Sequence, residues 1–392
     1  MTPDVYKAQL TEQLPQMLQL LEQLVNIDSG SYDAEGVNAV AAVLTEKLQA
    51  QGFALRSHQV AQRGDLWVAE RHDGGHGRLV ILGHLDTVWP KGTAAQWPFQ
   101  MLSSGLATGP GVGDMKGGLV MALFALLALR EHSAPETKLE SIKFILVPDE
   151  ELGSVGSRTL IEQEAQTADV VLVLEPGRAG GGIVTARGAL GAYFMHATGC
   201  SAHCASNYLK GASALRELAC KVEALDGLSQ PEEGVVVNVG TLQGGTARQV
   251  VPGEAHMAID VRARTQDQAN QLQREIARIA QERRNERVEV QLSGQLTRPA
   301  FTNTHNRALM QAAQVLADAL SVKVFEVPPV GGGSDGNFTA AMGIPTLDGL
   351  GPVCHDICSR KETIEVQSLV ERGALMCGLI ERIPSLLVTL EG

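Results

Sequence analysis

"RLVILGHLD" (78–86), "SIKFILVPDEE" (141–151) and "ADVVLVLEPG" (168–177) decide how this chain folds. Each is a short apolar run that closes on histidine or acidic residues. A run apolar at every position, rather than at alternate ones, reads as a strand covered on both faces. Helical patterns separate the three, "MKGGLVMALFALLALREH" (115–132) and "VGSRTLIEQEAQ" (155–166). The sequence therefore predicts an α/β fold, a mostly parallel mixed sheet flanked by helices, with ligands gathered where the strands end.

Working outward, helical spacing of apolar residues predicts helices over 6–25 and 37–48. From residue 188 the texture changes. "ALGAYFMHATG" (189–199), "EGVVVNVGTLQGG" (233–245) and "EAHMAIDVRAR" (254–264) look like strands of a half-exposed sheet, with helical stretches at 206–225 and 266–284. This predicts an inserted α+β domain of four strands and two helices over 188–300, within a first domain made of 1–187 plus 301–392. After "TRPAF" (297–301) the first texture returns: a helix at 306–320, a strand "KVFEV", the turn "GGGSDGN" (331–337), a strand "IPTLDG" and a closing helix at 366–383.

Composition bounds the function. The chain has 392 residues, 44% hydrophobic and 19% charged, so it can bury a sizeable core. A net charge of -12 with no concentrated basic block argues against a nucleic-acid partner. The apolar run 118–129 falls short of the about 20 residues a bilayer needs, so it reads as a core helix and no membrane partner is expected. No basic leader with a cleavage site is visible, and six cysteines in so long a chain suggest reduced thiols. A cytoplasmic location is the expectation, or a periplasmic one if a signal peptide has been removed.

The strand ends carry the chemistry. His84 and Asp86 stand two apart, so they share a face where an apolar run ends, and a carboxylate there can orient a ligating imidazole. Asp114 lies in "GPGVGDMKGG" (109–118), between a glycine-rich loop and a helix start. No G-K-[ST] follows to make a phosphate cradle, and the plain alternative is a helix N-cap. Asp149, Glu150 and Glu151 stand in a row after a buried strand, where their charges repel unless a cation sits among them. Neighbouring residues there point in different directions, so one carboxylate can bind a metal while the next acts as general base. Glu175 ends a further apolar run. Each of these alone is an ordinary solvated acid; their convergence on several strand ends points to a metal centre.

At these residues the chain resembles the dizinc metallopeptidase family of aminoacylase, acetylornithine deacetylase, succinyl-diaminopimelate desuccinylase and bacterial glutamate carboxypeptidase. "GHLDTV" (83–88), "GVGDMKGG" (111–118), "DEELGS" (149–154) and "GGGSDG" (331–336) occur in the family's order across nearly the whole chain, and "TRPAF" and the insert are most similar to glutamate carboxypeptidase. The resemblance implies two zinc ions per subunit, with cobalt or manganese as possible substitutes. One ion is held by His84 and Glu175, the other by Glu151 and a residue near the C-terminus, and Asp114 bridges them. Asp86 orients His84, and Glu150 is the general base toward a water between the metals. The insert becomes a lid that makes a homodimer, and His203 in "GCSAHCA" polarises the scissile carbonyl in the partner's site. Arg262, Arg298 and the loop of Gly332, Gly333 and Ser334 meet a substrate carboxylate.

Two departures from the family pattern stand out. Where the family has its last histidine ligand, four residues before an acid, this chain has Cys358 four before Glu362. Either Cys358 binds as a thiolate, or His355 replaces it after a shift of the loop, or the second metal is weak or absent. Cys358 is preferred because zinc accepts sulfur and the spacing to "KETIEV" is kept. In "GGTARQVVP" (244–252), Gln249 stands where the family has Asn, and the resemblance implies that its longer amide contacts the substrate from the insert. The expected function is a metal-dependent hydrolase that cleaves the amide bond of a C-terminal, glutamate-like, or N-acylated amino acid. A dipeptidase or N-acyl-amino-acid deacylase is the alternative, and a metal-binding dimer that has lost catalysis is the alternative of another class.

Overall fold

The computed structural model describes residues 3–391, and side chains to residue 388. The chain divides into two compact units, one of 1–186, 302–328 and 334–392, the other of 187–301 and 329–333.

In the first unit the sheet strands in chain order are β1 (Ala54–His58), β2 (Leu66–His72), β3 (Arg78–His84), β4 (Ser141–Val147) and β5 (Val170–Val173). With Thr346–Leu347 they form a six-stranded sheet ordered β1, β2, β4, β3, β5, Thr346–Leu347. The last four of that order run parallel and the β1 side is antiparallel, which makes the mixed, mostly parallel sheet that the apolar runs imply.

Both faces are covered, which is why the strands are apolar throughout. Leu79 and Ile81 of β3, Phe144 of β4 and Leu172 of β5 pack into one core with the helices Pro3–Val25, Gly118–His132, Arg307–Leu320 and Val366–Glu391. Val80, Leu82, Ile145 and Val171, one residue out of phase, pack into a second core with Ile161 and Phe338. Helix Gly118–His132 is one of the core helices, with ten of its residues buried. The strands β1 and β2 had no counterpart in the sequence reading. β1 is largely exposed and its short polar pattern gives little periodic signal.

The second unit holds β6 (Ala189–Thr198), β7 (Val236–Gly244), β8 (Glu254–Ala263) and β9 (Glu289–Arg298), in an antiparallel sheet ordered β7, β8, β6, β9. Its helices are Ala214–Asp226 and Gln266–Gln281. The first begins later than its apolar pattern suggests, because Ser213 caps it through the Arg216 N–H and residues Tyr208–Lys210 form a separate turn. Tyr193, Met195, Met257, Ile259 and Val261 face these helices, while the alternate residues face away. One-sided burial produces the period-two pattern of this segment.

Candidate metal centre

Parallel strands in the first unit deliver their chemistry at one edge. His84 is the last residue of β3, Glu150 and Glu151 begin the turn Glu150–Leu152 just after β4, and Glu175 follows β5. Asp114 comes from the irregular turn Val112–Gly117 ahead of the helix Gly118–His132. Asp114 is not that helix's cap. At Gly113 the turn passes so close to Cys354 that a Cβ would sit 2.3 Å from its sulfur, so a side chain there would force the loop apart.

Asp114 is the hinge of the cluster. Its Oδ1 lies 3.0 Å from His84 Nε2, which is itself 4.0 Å from Glu175 Oε1. Its Oδ2 lies 3.3 Å from the Cys358 sulfur. Two ligand groups result, His84 with Asp114 and Glu175, and Asp114 with Glu151 and Cys358; within each, the ligand atoms lie within 4.8 Å of one another. The structure thus brings together His84, Asp114, Glu151, Glu175 and Cys358. His355 faces elsewhere, its Nε2 2.9 Å from Glu365 Oε1. Cys354 is buried beneath the loop of Gly113.

The electrostatics fit cations. Burial, then the charge of Asp114, raises the Glu151 carboxyl to about 9. Burial, then the charges of Asp114 and Glu150, raises Glu175 well above the usual carboxylate range. The Cys358 thiol is pushed up by partial burial and then by Asp114 and Glu151, although the residue itself stands on an exposed turn. Burial alone would lower the His84 pKa, but its hydrogen bonds and the charges of Asp114 and Asp86 outweigh this and raise it well above its ordinary value. Without positive charge these groups must take up protons. Divalent ions would release those protons and leave every group in its ligating form. The donors, one nitrogen, one sulfur and carboxylates, suit zinc.

Asp86 meets His84 through both its main chain and its carboxylate. His84 Nδ1 is 2.8 Å from the Asp86 main-chain oxygen, while the Asp86 carboxylate is 3.5 Å away. A main-chain carbonyl accepts only, so Nδ1 carries the proton and Nε2 is left to ligate. The carboxylate also accepts from the Glu150 N–H at 3.1 Å, the Glu151 N–H at 3.2 Å and the Ser31 hydroxyl at 2.6 Å. It holds the turn that presents the two glutamates.

Glu362 is a functional residue that the sequence reading used only as a spacing mark. It is fully buried, and its Oε1 accepts from the N–H of Gly113 at 2.9 Å and of Asp114 at 3.3 Å. Its Oε2 accepts from the Cys358 N–H at 3.0 Å. One carboxylate thereby fixes two loops that carry proposed ligands. Burial and then Asp114 raise it to about 7, against the pull of those three N–H groups. Its four-residue offset from Cys358 was the available signal.

The other sequence-derived residues lie in the second unit, except Ser334. His203 is exposed, and its Nδ1 accepts from the N–H of Ala205 at 3.2 Å and of Ser206 at 3.4 Å, so Nε2 carries the proton and can donate. Gln249 is exposed and its main-chain oxygen accepts from the Cys204 N–H at 2.9 Å. The Arg262 fork is engaged by Asp260 at 2.7 and 3.0 Å and by the Gly331 carbonyl at 3.1 Å. Arg298 is buried against Gly333. The carbonyls of Gly332 and Gly333 accept from Arg187 at 3.0 and 3.3 Å. Ser334 is buried in the first unit, its hydroxyl donating to Asp348 at 2.5 Å.

Known proteins are similar to the chain in sequence and fold. The chain is 29% identical over 375 residues to carboxypeptidase G2 of a Pseudomonas species, covering 94% of this chain and 90% of that one. Its fold is similar to that of a Staphylococcus aureus tripeptidase, with a TM-score of 0.79 at 22% identity over 95% of this chain and 99% of that one. It is also similar to a dinuclear metal binding peptidase of the M20 family from Bacillus subtilis, with a TM-score of 0.67 at 14% identity over 96% of this chain and 99% of that one. Residues 80–382 match a single peptidase family, and the chain belongs to it: peptidase family M20/M25/M40.

Proposed function

We propose that this M20 hydrolase cleaves the amide bond of a C-terminal, glutamate-like amino acid bearing an aromatic acyl group. The observation that carries the hydrolytic reading is Asp114, which offers one oxygen to each of two ligand groups. His84 and Glu175 would hold one ion, Glu151 and Cys358 the other. Bound divalent ions supply Lewis acidity and a lowered pKa for water.

The protein's own residues do the rest. Glu150, positioned by the Asp86 carboxylate through its main chain, takes a proton from the attacking water and passes it to the leaving nitrogen. The His203 Nε2–H is a donor suited to a developing oxyanion. The second unit serves as a lid, and its edge strand β7, paired only with β8 among the described residues, offers a ladder for a second copy of the chain.

The acyl preference rests on a cavity of about 470 Å3 beside Glu151, whose mostly apolar wall holds Tyr32, Val88, Trp89, Pro90 and Leu152, with Asp33 and Lys91 also lining it. That size and apolar lining suit an aromatic ring. Similarity to carboxypeptidase G2 supports the C-terminal amino-acid product.

The test is a substrate panel with zinc or cobalt: aromatic-acyl glutamates, N-acetyl amino acids and dipeptides, each against Glu150→Gln. The aromatic-acyl glutamate should have the highest kcat/KM. Equal or better turnover of dipeptides would replace this reading with a dipeptidase, and no turnover of any would favour a protein that has lost catalysis.

A further inference from the structure

The outward face of the second unit's sheet carries a cluster that the proposed hydrolysis does not use. His256 of β8 stands directly opposite His196 of β6 in the antiparallel register, on two strands that are both interior to the sheet. Their imidazoles stack with centroids 4.4 Å apart and planes 6° from parallel. Glu254, two residues before His256 on the same strand, shares that face, and its Oε2 lies 3.6 Å from His196 Nε2.

That Nε2 is the informative atom. The atom is covered by its neighbours, although its side chain is 39% exposed, and it makes no hydrogen bond; at 3.6 Å the exposed Glu254 carboxylate is an ion-pair neighbour only. A covered polar nitrogen without a hydrogen bond is costly, and a bound ion is one arrangement that would satisfy it. One ligand atom from each of His196, Glu254 and His256 lies within 4.8 Å of the others. A tetrahedral ion with bonds of about 2.1 Å needs its ligand atoms about 3.4 Å apart, a gap that side-chain rotation on a rigid sheet can close.

We propose that His196, Glu254 and His256 bind one divalent transition-metal ion of the zinc and copper class, a site separate from the acidic cluster of the first unit. Two imidazoles and one carboxylate exclude magnesium and calcium, which prefer all-oxygen shells. Three protein ligands leave a position open to water or a further donor. The ion cross-links two strands of the lid sheet, and the metal content of the saturated chain rises to three ions rather than two.

The test uses the untagged full chain, stripped with chelator and dialysed against micromolar zinc. His256→Gln should lose one equivalent while hydrolysis stays within about twofold, because the cluster takes no part in the reaction. The double variant Glu151→Gln with Glu175→Gln should lose its cleft ions and keep this one. Copper added to that double variant should give an electron paramagnetic resonance spectrum with two coupled nitrogens, reduced to one by His256→Gln. If His256→Gln misfolds by circular dichroism, His196→Gln takes its place. Equal zinc in the parent and both histidine variants, or filling only at millimolar zinc, overturns the proposal.

Discussion

The Cys358 sulfur lies 3.3 Å from Asp114 Oδ2, on the side of that carboxylate away from His84. A thiol there completes the second ligand group, and His355, paired with Glu365, does not enter it. Cys358→Ala is expected to remove one of the two proposed zinc ions and lower kcat by about a hundredfold or more, whereas His355→Ala leaves both in place. Metal analysis of the dialysed variants checks this. Cobalt substitution gives a second readout, a near-ultraviolet sulfur-to-cobalt band that Cys358→Ala abolishes. Equal metal in both variants would refute the assignment.

Glu362 satisfies three main-chain N–H groups on two loops, those of Gly113, Asp114 and Cys358. Glu362→Ala strands the buried N–H groups of Gly113 and Asp114, at about 1–3 kcal/mol for each group left without an acceptor, and frees the partly buried one of Cys358 at a smaller cost. The melting temperature should fall and zinc affinity drop about 10- to 100-fold, with Glu362→Gln intermediate because its amide oxygen still accepts. Melting curves and zinc titration read both. An unchanged affinity in Glu362→Ala would mean the loops hold themselves.

Glu151, raised to about 9 from its ordinary 4.5, stays protonated at neutral pH when no metal is bound. Metal binding must therefore release protons, and affinity should tighten as pH rises toward 9. Calorimetry in buffers of different ionisation enthalpy measures the release directly. The sign for folding runs the other way. A carboxyl whose folded pKa is raised contributes stability fully present below its unfolded pKa and lost as pH rises through the folded value, so the chelated protein should be less stable at pH 9 than at pH 6. Zinc should reverse that loss. A pH-independent affinity would contradict it.

Glu150 is the proposed proton carrier and belongs to neither ligand group. Glu150→Gln should reduce kcat by about 10²- to 10⁴-fold with metal content unchanged. A parallel loss of zinc would move Glu150 from proton carrier to ligand.

Tyr32 is 77% exposed at the mouth of the cavity beside Glu151, so its removal costs the fold little. Tyr32→Ala should raise KM for aromatic-acyl substrates by about fivefold or more and leave acetyl substrates unchanged, as expected for loss of an aromatic contact. Steady-state kinetics on the paired substrates decides it, and an equal effect on both would place the acyl group elsewhere.

Much of the site was legible because it is local. His84, Glu150, Glu151 and Glu175 each follow a run whose residues face the two cores in alternation, as Leu79 and Val80 do, and such a run can only be an interior strand. Its end must then open onto the edge where parallel strands deliver ligands. Glu362 was opaque for the opposite reason. Nothing in "KETIEV" marks a buried acid, and its partners Gly113 and Asp114 are 249 and 248 residues away in the chain.

The sequence by itself determined the doubly covered sheet, the four-stranded insert and the acidic strand ends, since period and burial are properties of neighbouring residues. Only the tertiary structure placed Cys358, and not His355, beside Asp114. Asp356 and Cys358 both adopt left-handed backbone, with φ of 52° and 58°, and these two turns aim the thiol at Asp114 while the imidazole faces Glu365. The stacked histidines of the insert belong to the same class. Residues 196 and 256 become neighbours only when β6 and β8 pair in one register, and spacing along the chain carries no record of that pairing.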